Sequence, residues 1–190
     1  HTPQYAYSKT WHYANIDQGN TLQSQPRNPK GDILTALSSL SDSLRMGGSK
    51  EQTALWLKML IHLVGDLHCP MHAGHLSDLG GNTISVSFFG MKSNLHSVWD
   101  SELVEAAHKW SYTEWAENID TTDKASRQEI CRGDYQEWFL QSHSLSCDIY
   151  SNSTEGCNIS YDQVAQFTPI IEEQLLRAGV RLAHILNSIF

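Results

Sequence analysis

The chain has 190 residues and a mass of 21.4 kDa; it is 40% hydrophobic and 18% charged, which suits one globular domain and excludes disorder as the main state. No Gly-X-Y period, heptad array or longer repeat is present, and the longest apolar stretch, Ala54 to Val64, is broken by Lys58 and His62, so fibrous, solenoid and helical membrane-spanning architectures are excluded. Thirteen Lys and Arg against 21 Asp and Glu give a formal net charge of -8, a field that repels phosphates and anionic lipid and argues against a plain basic nucleic-acid-binding module.

Residue 1 is His and the opening stretch, His1 to Thr10, is polar and carries no secretory signal, so the chain reads as either mature or truncated. After an irregular start through Pro29, Ile33, Leu34, Leu37, Leu40 and Leu44 recur at helical spacing and Gly47-Gly48 ends the pattern, which predicts a helix over 31–46. From Ser49 the residues Leu55, Leu57, Leu60, Ile61 and Val64 are apolar nearly all round, as in a helix buried inside a bundle, and Pro70 stops it. Residues 73–82 carry Gly74, Gly80 and Gly81 and read as a loop. Ile84, Val86 and Phe88 alternate with Ser85 and Ser87, and Gly90-Met91 turns that strand into a hairpin ending near Asn94. Further helices are expected over Leu95 to Lys109, Tyr112 to Asn118, Asp123 to Ser144 and Ser160 to Ile189, the last with Pro169 in its first turns. The expected fold class is mainly α, a helical bundle with one short β-hairpin, in a single domain over residues 1–190.

Cys147 and Cys157 bracket a loop rich in Asn, Ser and Gly. A disulfide between them would close that loop and fit an oxidising compartment, although four Cys allow three full pairings. Asn152-Ser153-Thr154 and Asn158-Ile159-Ser160 are glycosylation acceptor patterns, which matter only in a eukaryotic secretory pathway.

Ten His are available as metal ligands, and a bound divalent cation would supply the local positive charge that a polyanionic substrate needs. His62 with Asp66 and His96 with Asp100 are each spaced i, i+4, which sets both side chains on one helix face a turn apart. Both pairs lie in otherwise apolar runs, where an unpaired ionised carboxylate would be costly to bury. Between them, Pro70 breaks the helix and turns His72 back toward the bundle. Two His, one carboxylate and an open position is the ordinary catalytic zinc set, and His72, His96 and Asp100 supply it; Asp66 is placed to bridge two ions. Cys69 lacks a second Cys at ligand spacing and reads as a buried thiol, His68 as a histidine satisfied by neighbouring backbone. His75, His108, His143 and His184 read as ordinary surface or core residues, and Trp110, Trp115 and Trp138 as helix-packing residues.

Trp11-His12-Tyr13, Ile61-His62-Leu63-Val64-Gly65-Asp66, Pro70-Met71-His72, Gly80-Gly81-Asn82, Asn94-Leu95-His96-Ser97-Val98-Trp99-Asp100 and a closing stretch from Glu172 to Asn187 follow one another in the order of a known family. Over nearly its whole length the sequence resembles the class I zinc nucleases, the single-strand-specific nucleases and 3′-nucleotidases. The resemblance implies a helical bundle of the zinc phospholipase C type and a cluster of three zinc ions. It implies that His12, His62 and Asp66 hold the first, deeper zinc, that Asp66 also reaches the second, and that His72, His96 and Asp100 hold the outer one; the water activated by the cluster is the nucleophile. Tyr13 matches the aromatic on which the family stacks a base, with Asn15, Leu79 and Asn82 around the same pocket; Asn15 stands where several relatives have Asp.

The implied reaction is hydrolysis of single-stranded DNA, RNA and 3′-nucleotides to 5′-phosphate products, by a monomer in a secreted or periplasmic location. The family's N-terminal ligands and a phosphate-binding Arg have no counterpart here. The resemblance therefore implies a fragment lacking roughly 48 residues, a length consistent with an ordinary enzyme domain, with a trypsin-cleaved N-terminal piece as a possible bound partner. Two other readings stay open: a zinc phospholipase C, whose outer zinc uses Glu in place of Asp100 and which lacks the Gly80-Gly81-Asn82 pocket, and an inactive structural zinc fragment.

Overall fold

The computed structural model describes residues 3–190. A 3-10 turn over Pro3–Ser8 leads into an irregular segment, and the first long helix, α1, spans Ile33–Met46. Asp32 starts it by accepting from the backbone N–H groups of Leu34 and Thr35 at 3.1 Å each, while its own N–H donates to the Thr35 hydroxyl at 2.9 Å. This reciprocal cap satisfies donors the helix leaves unpaired. Gly47, at φ 78°, ends it. The helix α2, Lys50–His68, is capped in the same way by Ser49 and Gln52 and gives way at Cys69 to a 3-10 turn over Pro70–Ala73.

The strands β1 (Ser85–Phe88) and β2 (Met91–Asn94) form the expected hairpin, with Val86 opposite Ser93. A third strand, β3 (Asn158–Ile159), pairs in parallel with β1, so the sheet order is β2-β1-β3. Two residues are too few to show an alternation, which is why the sequence pattern shows only a hairpin. The Asn158 side chain, part of a glycosylation pattern in the sequence, instead fixes the hairpin: its carbonyl oxygen accepts from the Ser87 hydroxyl at 2.8 Å and the Gly90 N–H at 2.9 Å.

The expected helix over Leu95 to Lys109 is a helical run with a widened middle: α3 (Leu95–Ser97), a π-helical turn (Val98–Glu102) and α4 (Leu103–Ala107). Asp100 lies in the wide turn, a device often found at functional sites. After α5 (Tyr112–Ile119), the helix expected over Asp123 to Ser144 is two elements, α6 (Lys124–Ile130) and α7 (Tyr135–Asn152). Gly133, at φ 90°, turns the chain between them, and Asp134 caps α7 by accepting from the N–H groups of Gln136 and Glu137. The last helix, α8, covers Tyr161–Ile189.

The expected Cys147–Cys157 disulfide is absent: all four cysteines are free. The reason is local. The sequence places Cys147 in a loop, but α7 continues through it, and its exposed Sγ lies 3.8 Å from the His143 ring on the same helix. Cys157 instead sits just before β3, packed against apolar residues beneath the sheet.

Two apolar clusters make the core. One gathers α1, α2, α7 and α8 around Leu37, Leu60, Leu63 and Phe139, and the other gathers β1 and the 95–107 run around Val86, Leu95, Trp99 and Phe167. Ala73 belongs to the first and Met71 to the second, so the turn that carries His72 is wedged where the clusters meet. The end of α2 is fixed from behind by Arg181 of α8, only 2% exposed, whose guanidinium donates to the His68 ring at 2.9 Å, the Ile130 carbonyl at 2.9 Å and Gln141 at 2.6 Å. No helix among the described residues is long and apolar enough to cross a membrane.

Candidate metal centre

On α2 the i, i+4 pair closes as its spacing requires, with His62 Nε2 3.2 Å from Asp66 Oδ2. From the irregular segment His12 brings Nδ1 to 2.8 Å from the same carboxylate oxygen and 3.1 Å from His62 Nε2. Backbone pairing holds that segment in place: Ala14 N–H donates to the His72 carbonyl at 3.1 Å and Ile16 N–H to the Gly74 carbonyl at 3.0 Å. His12, His62 and Asp66 thus offer three donor atoms within the span of one metal ion.

A second set adjoins it. His72 Nδ1 donates to the His12 carbonyl at 2.6 Å, which turns Nε2 toward Asp100, 3.1 Å away. His96 is fixed likewise, its Nδ1 donating to the Gly80 carbonyl at 2.8 Å, and its ring centre lies 5.0 Å from that of His72. A histidine whose far nitrogen is held by a carbonyl has its tautomer and orientation set for metal binding. The two sets approach each other where His72 Nδ1 stands 4.0 Å from Asp66 Oδ2.

Cys69 also offers its sulfur beside His72 and Asp100. Burial pushes that thiol up to about 12 in the metal-free protein, whereas a cation bound there would favour the thiolate it coordinates. His96 adjoins the same set, and its pKa is lowered, by burial first and then by the neighbouring His72 charge, against the Gly80 bond.

The remaining groups form a strongly coupled patch. Burial opposes ionisation of Asp66, but bonds from His12 and His62 and the charge of His72 outweigh it and hold the carboxylate at about 2. Asp100 is lowered chiefly by its bond to His72. His62 is raised by its bond to Asp66; His72 is raised because Asp100 and Asp66 outweigh its burial. Anionic carboxylates beside imidazoles form a donor set suited to a divalent cation.

The residues expected to contact a base lie beside this patch. Tyr13 is 36% exposed and is not part of either core cluster. The Asn15 amide donates to the His75 carbonyl at 3.2 Å, and the Asn82 amide to the Leu79 carbonyl at 2.8 Å. Leu79, 60% exposed, holds a left-handed φ of 58°. Gly80 follows at φ 65°, and a Cβ there would strike the Met71 carbonyl while standing 3.3 Å from the Asn15 amide and 3.5 Å from His96 Nδ1. Only glycine suits that position, and through it the loop, Asn15 and His96 meet.

Sequence reasoning missed the residues that hold this loop. His75 is stacked on Tyr150 with ring centres 4.1 Å apart, and the Tyr150 hydroxyl donates to Asp78 at 2.8 Å. The available signal was His143, Ser146 and Tyr150 recurring on one face of α7; His143 and Ser146 both donate to the Ala73 carbonyl, at 2.7 and 3.2 Å. His68 is buried and bonded to the Val64 carbonyl, as expected, and Trp138 is a packed core residue. Trp115 packs against the second apolar cluster, as expected, and together with Trp110 it lines an open cavity of about 1150 Å³ beside α5, α6 and α8. None of the six candidate ligands borders it.

A family model described as S1/P1 Nuclease matches residues 1–190. Among individual proteins, the chain is 34% identical to Endonuclease 4 of Arabidopsis thaliana over 152 residues, 70% of this chain and 50% of that protein. It is 29% identical to Endonuclease 2 of the same plant over 216 residues, covering 98% of this chain and 73% of the relative. To Nuclease S1 of Aspergillus oryzae it is 27% identical over 213 residues, 96% of this chain and 72% of the relative. The chain thus spans about half the length of the first of these and about three quarters of the other two.

Proposed function

The chain belongs to the S1/P1 nuclease family, and from that membership we propose that it acts as a zinc-dependent phosphodiesterase on single-stranded DNA and RNA and on 3′-nucleotides, leaving 5′-phosphate products. The observation that carries the reading is the convergence of His12, His62 and Asp66 beside His72 and Asp100, with the far nitrogens of His72 and His96 bound to backbone carbonyls. His12, His62 and Asp66 would hold the first zinc of a three-ion cluster, Asp66 would reach the second, and His72, His96 and Asp100 would hold the outer one. When bound, zinc supplies charge neutralisation for the phosphodiester and an acidified water at neutral pH.

The chain's own residues prepare that chemistry. Asp66 and Asp100 are anionic at neutral pH, so the site is ready for cations without prior loss of a carboxyl proton. The carbonyls of His12 and Gly80 accept hydrogen bonds from Nδ1 of His72 and His96, which turns Nε2 of His72 toward Asp100 and would leave Nε2 of His96 for an ion. Tyr13 would offer a stacking face to an unpaired base, a contact that tolerates base identity, with Asn15, Leu79 and Asn82 on the other side. Duplex DNA occludes base faces, so single strands are preferred. A secreted or periplasmic location, a monomeric state and a bound N-terminal fragment belong to the same reading and rest on the resemblance alone.

The test is a comparison of three substrates with the zinc-loaded protein: single-stranded DNA, duplex DNA of the same sequence, and phosphatidylcholine vesicles. Cleavage of the single strand to 5′-phosphate ends, with little action on the other two, is expected. Release of a lipid head group, or no turnover of any substrate, would overturn the reading.

A further inference from the structure

The loop from His75 to Asn82 bends in a way its sequence alone does not enforce. Leu79, Gly80 and Gly81 follow one another at φ 58°, 65° and 82°, and a non-glycine residue in the left-handed region persists only where its surroundings over-determine it. Those surroundings are Asp78 and Tyr150. One oxygen of the Asp78 carboxylate accepts from the Tyr150 hydroxyl at 2.8 Å and from the Gly81 N–H at 2.7 Å; the other lies 3.4 Å from His75 Nδ1. The Tyr150 hydroxyl in turn accepts from the His75 N–H at 3.1 Å, and its ring lies flat on the His75 ring. Gly74 makes room for that hydroxyl, because a Cβ there would come within 2.6 Å of it.

The consequences reach both halves of the site. Gly80, held by this clamp, presents its carbonyl to His96 Nδ1, and Gly81 offers its carbonyl to the His96 N–H at 3.3 Å. The same bend exposes Leu79 and brings Asn82 back onto the Leu79 carbonyl. Tyr150 stands on α7, far in sequence from the loop, and α7 is anchored independently at Ala73 by His143 and Ser146.

We propose that Tyr150 and Asp78 are positioning residues that set the base-contacting face of the Leu79–Asn82 loop, so that removing the Tyr150 hydroxyl weakens recognition of the base without removing the metal. The inference rests on the function proposed above. Tyr150→Phe keeps the ring on His75 and deletes only the hydroxyl. Asp78→Asn keeps the shape and deletes the charge.

The measurement is calorimetric binding of adenosine 5′-monophosphate and of inorganic phosphate to the zinc-loaded protein, with zinc content determined in parallel. For Tyr150→Phe, about a tenfold weaker affinity for the nucleotide is expected, as for loss of one hydrogen bond to a charged group, with phosphate affinity and zinc content unchanged. Asp78→Asn should weaken the nucleotide in the same direction. Equal weakening of nucleotide and phosphate, loss of zinc in Tyr150→Phe, or unchanged nucleotide affinity in both variants would overturn the inference and leave the proposed function standing. A wild-type protein that binds phosphate and shows no added affinity for the nucleotide would overturn the base pocket itself, and this inference with it.

Discussion

His72 Nδ1 lies 2.6 Å from the backbone carbonyl of His12, so a residue of one candidate metal set is oriented by the main chain of a residue in the other. The bond ties the two sets mechanically. His12 cannot shift to accommodate an ion without moving the carbonyl that fixes His72, and Asp66 stands between them, 2.8 Å from His12 and 4.0 Å from His72.

Asp66→Asn should therefore be the most damaging single change at the site. In the proposed cluster one carboxylate would serve both sets, and replacing it would leave each undercharged. A loss of more than about 100-fold in turnover is expected, above the usual effect of altering a residue that merely supports a ligand. Turnover assays on a 3′-nucleotide check this, and near-normal activity would show that the carboxylate is not shared.

The choice between His96 and Cys69 as ligand can be read from zinc content. Cys69 packs against the second apolar cluster and is not a ligand in the proposed cluster, so Cys69→Ser should keep the wild-type stoichiometry. His96→Ala should lose one ion per chain. Metal analysis after exhaustive dialysis distinguishes them, and the opposite pattern would assign the position to the cysteine.

Tyr13→Ala should weaken binding of base-bearing substrates by about 1–3 kcal/mol, the range for one base–aromatic stack, or roughly tenfold to a hundredfold. A nitrophenyl phosphodiester, which offers little base to stack, should lose much less, and zinc should be unchanged. Equal losses on both, or displaced zinc, would make Tyr13 a residue that shapes the site rather than a stacking surface.

His68 makes a prediction about acid stability. Burial, aided by the charges of Arg181 and Arg177 and opposed by the Val64 bond, lowers it to about 4. An unfolded chain regains an ordinary histidine, near 6.5, and binds the proton that the folded state refuses. Stability from this residue is therefore full above about pH 6.5 and falls as pH drops toward 4, by about 3 kcal/mol. The raised His62 and His72 act with opposite sign, stabilising the metal-free protein below their unfolded values and losing that effect as pH rises through the folded ones. Asp66, lowered to about 2, is stabilising above its unfolded value and loses this as pH falls toward 2. Denaturant unfolding of metal-free wild type and His68→Gln between pH 7 and 4 isolates the His68 contribution. The gap between them should narrow as pH falls, and a gap independent of pH would contradict a neutral buried His68.

The helices and ligand pairs were legible because their signals are local. Apolar periodicity marks α1 and α2, and i, i+4 spacing on a helix dictates the approach of His62 to Asp66. What was not legible depends on contacts remote in sequence. The strand β3 is two residues long and exists because Asn158 and Ile159 meet β1. The break between α6 and α7 hinges on the single Gly133-Asp134 step, and the free Cys147 follows from α7 extending through it. The face of α7 that Tyr150 shares with His143 and Ser146 does not by itself name its partner, because Asp78 is 72 positions away.

The most direct test of zinc-dependent action on single strands is the rate of hydrolysis of single-stranded DNA before chelation, after removal of metal, and after zinc is returned. The rate should fall to background when metal is stripped and recover with zinc but not with magnesium, since imidazole and carboxylate sets of this kind suit zinc and magnesium prefers oxygen ligands and water. A rate unaffected by removal of metal, or restored equally by magnesium, would contradict it.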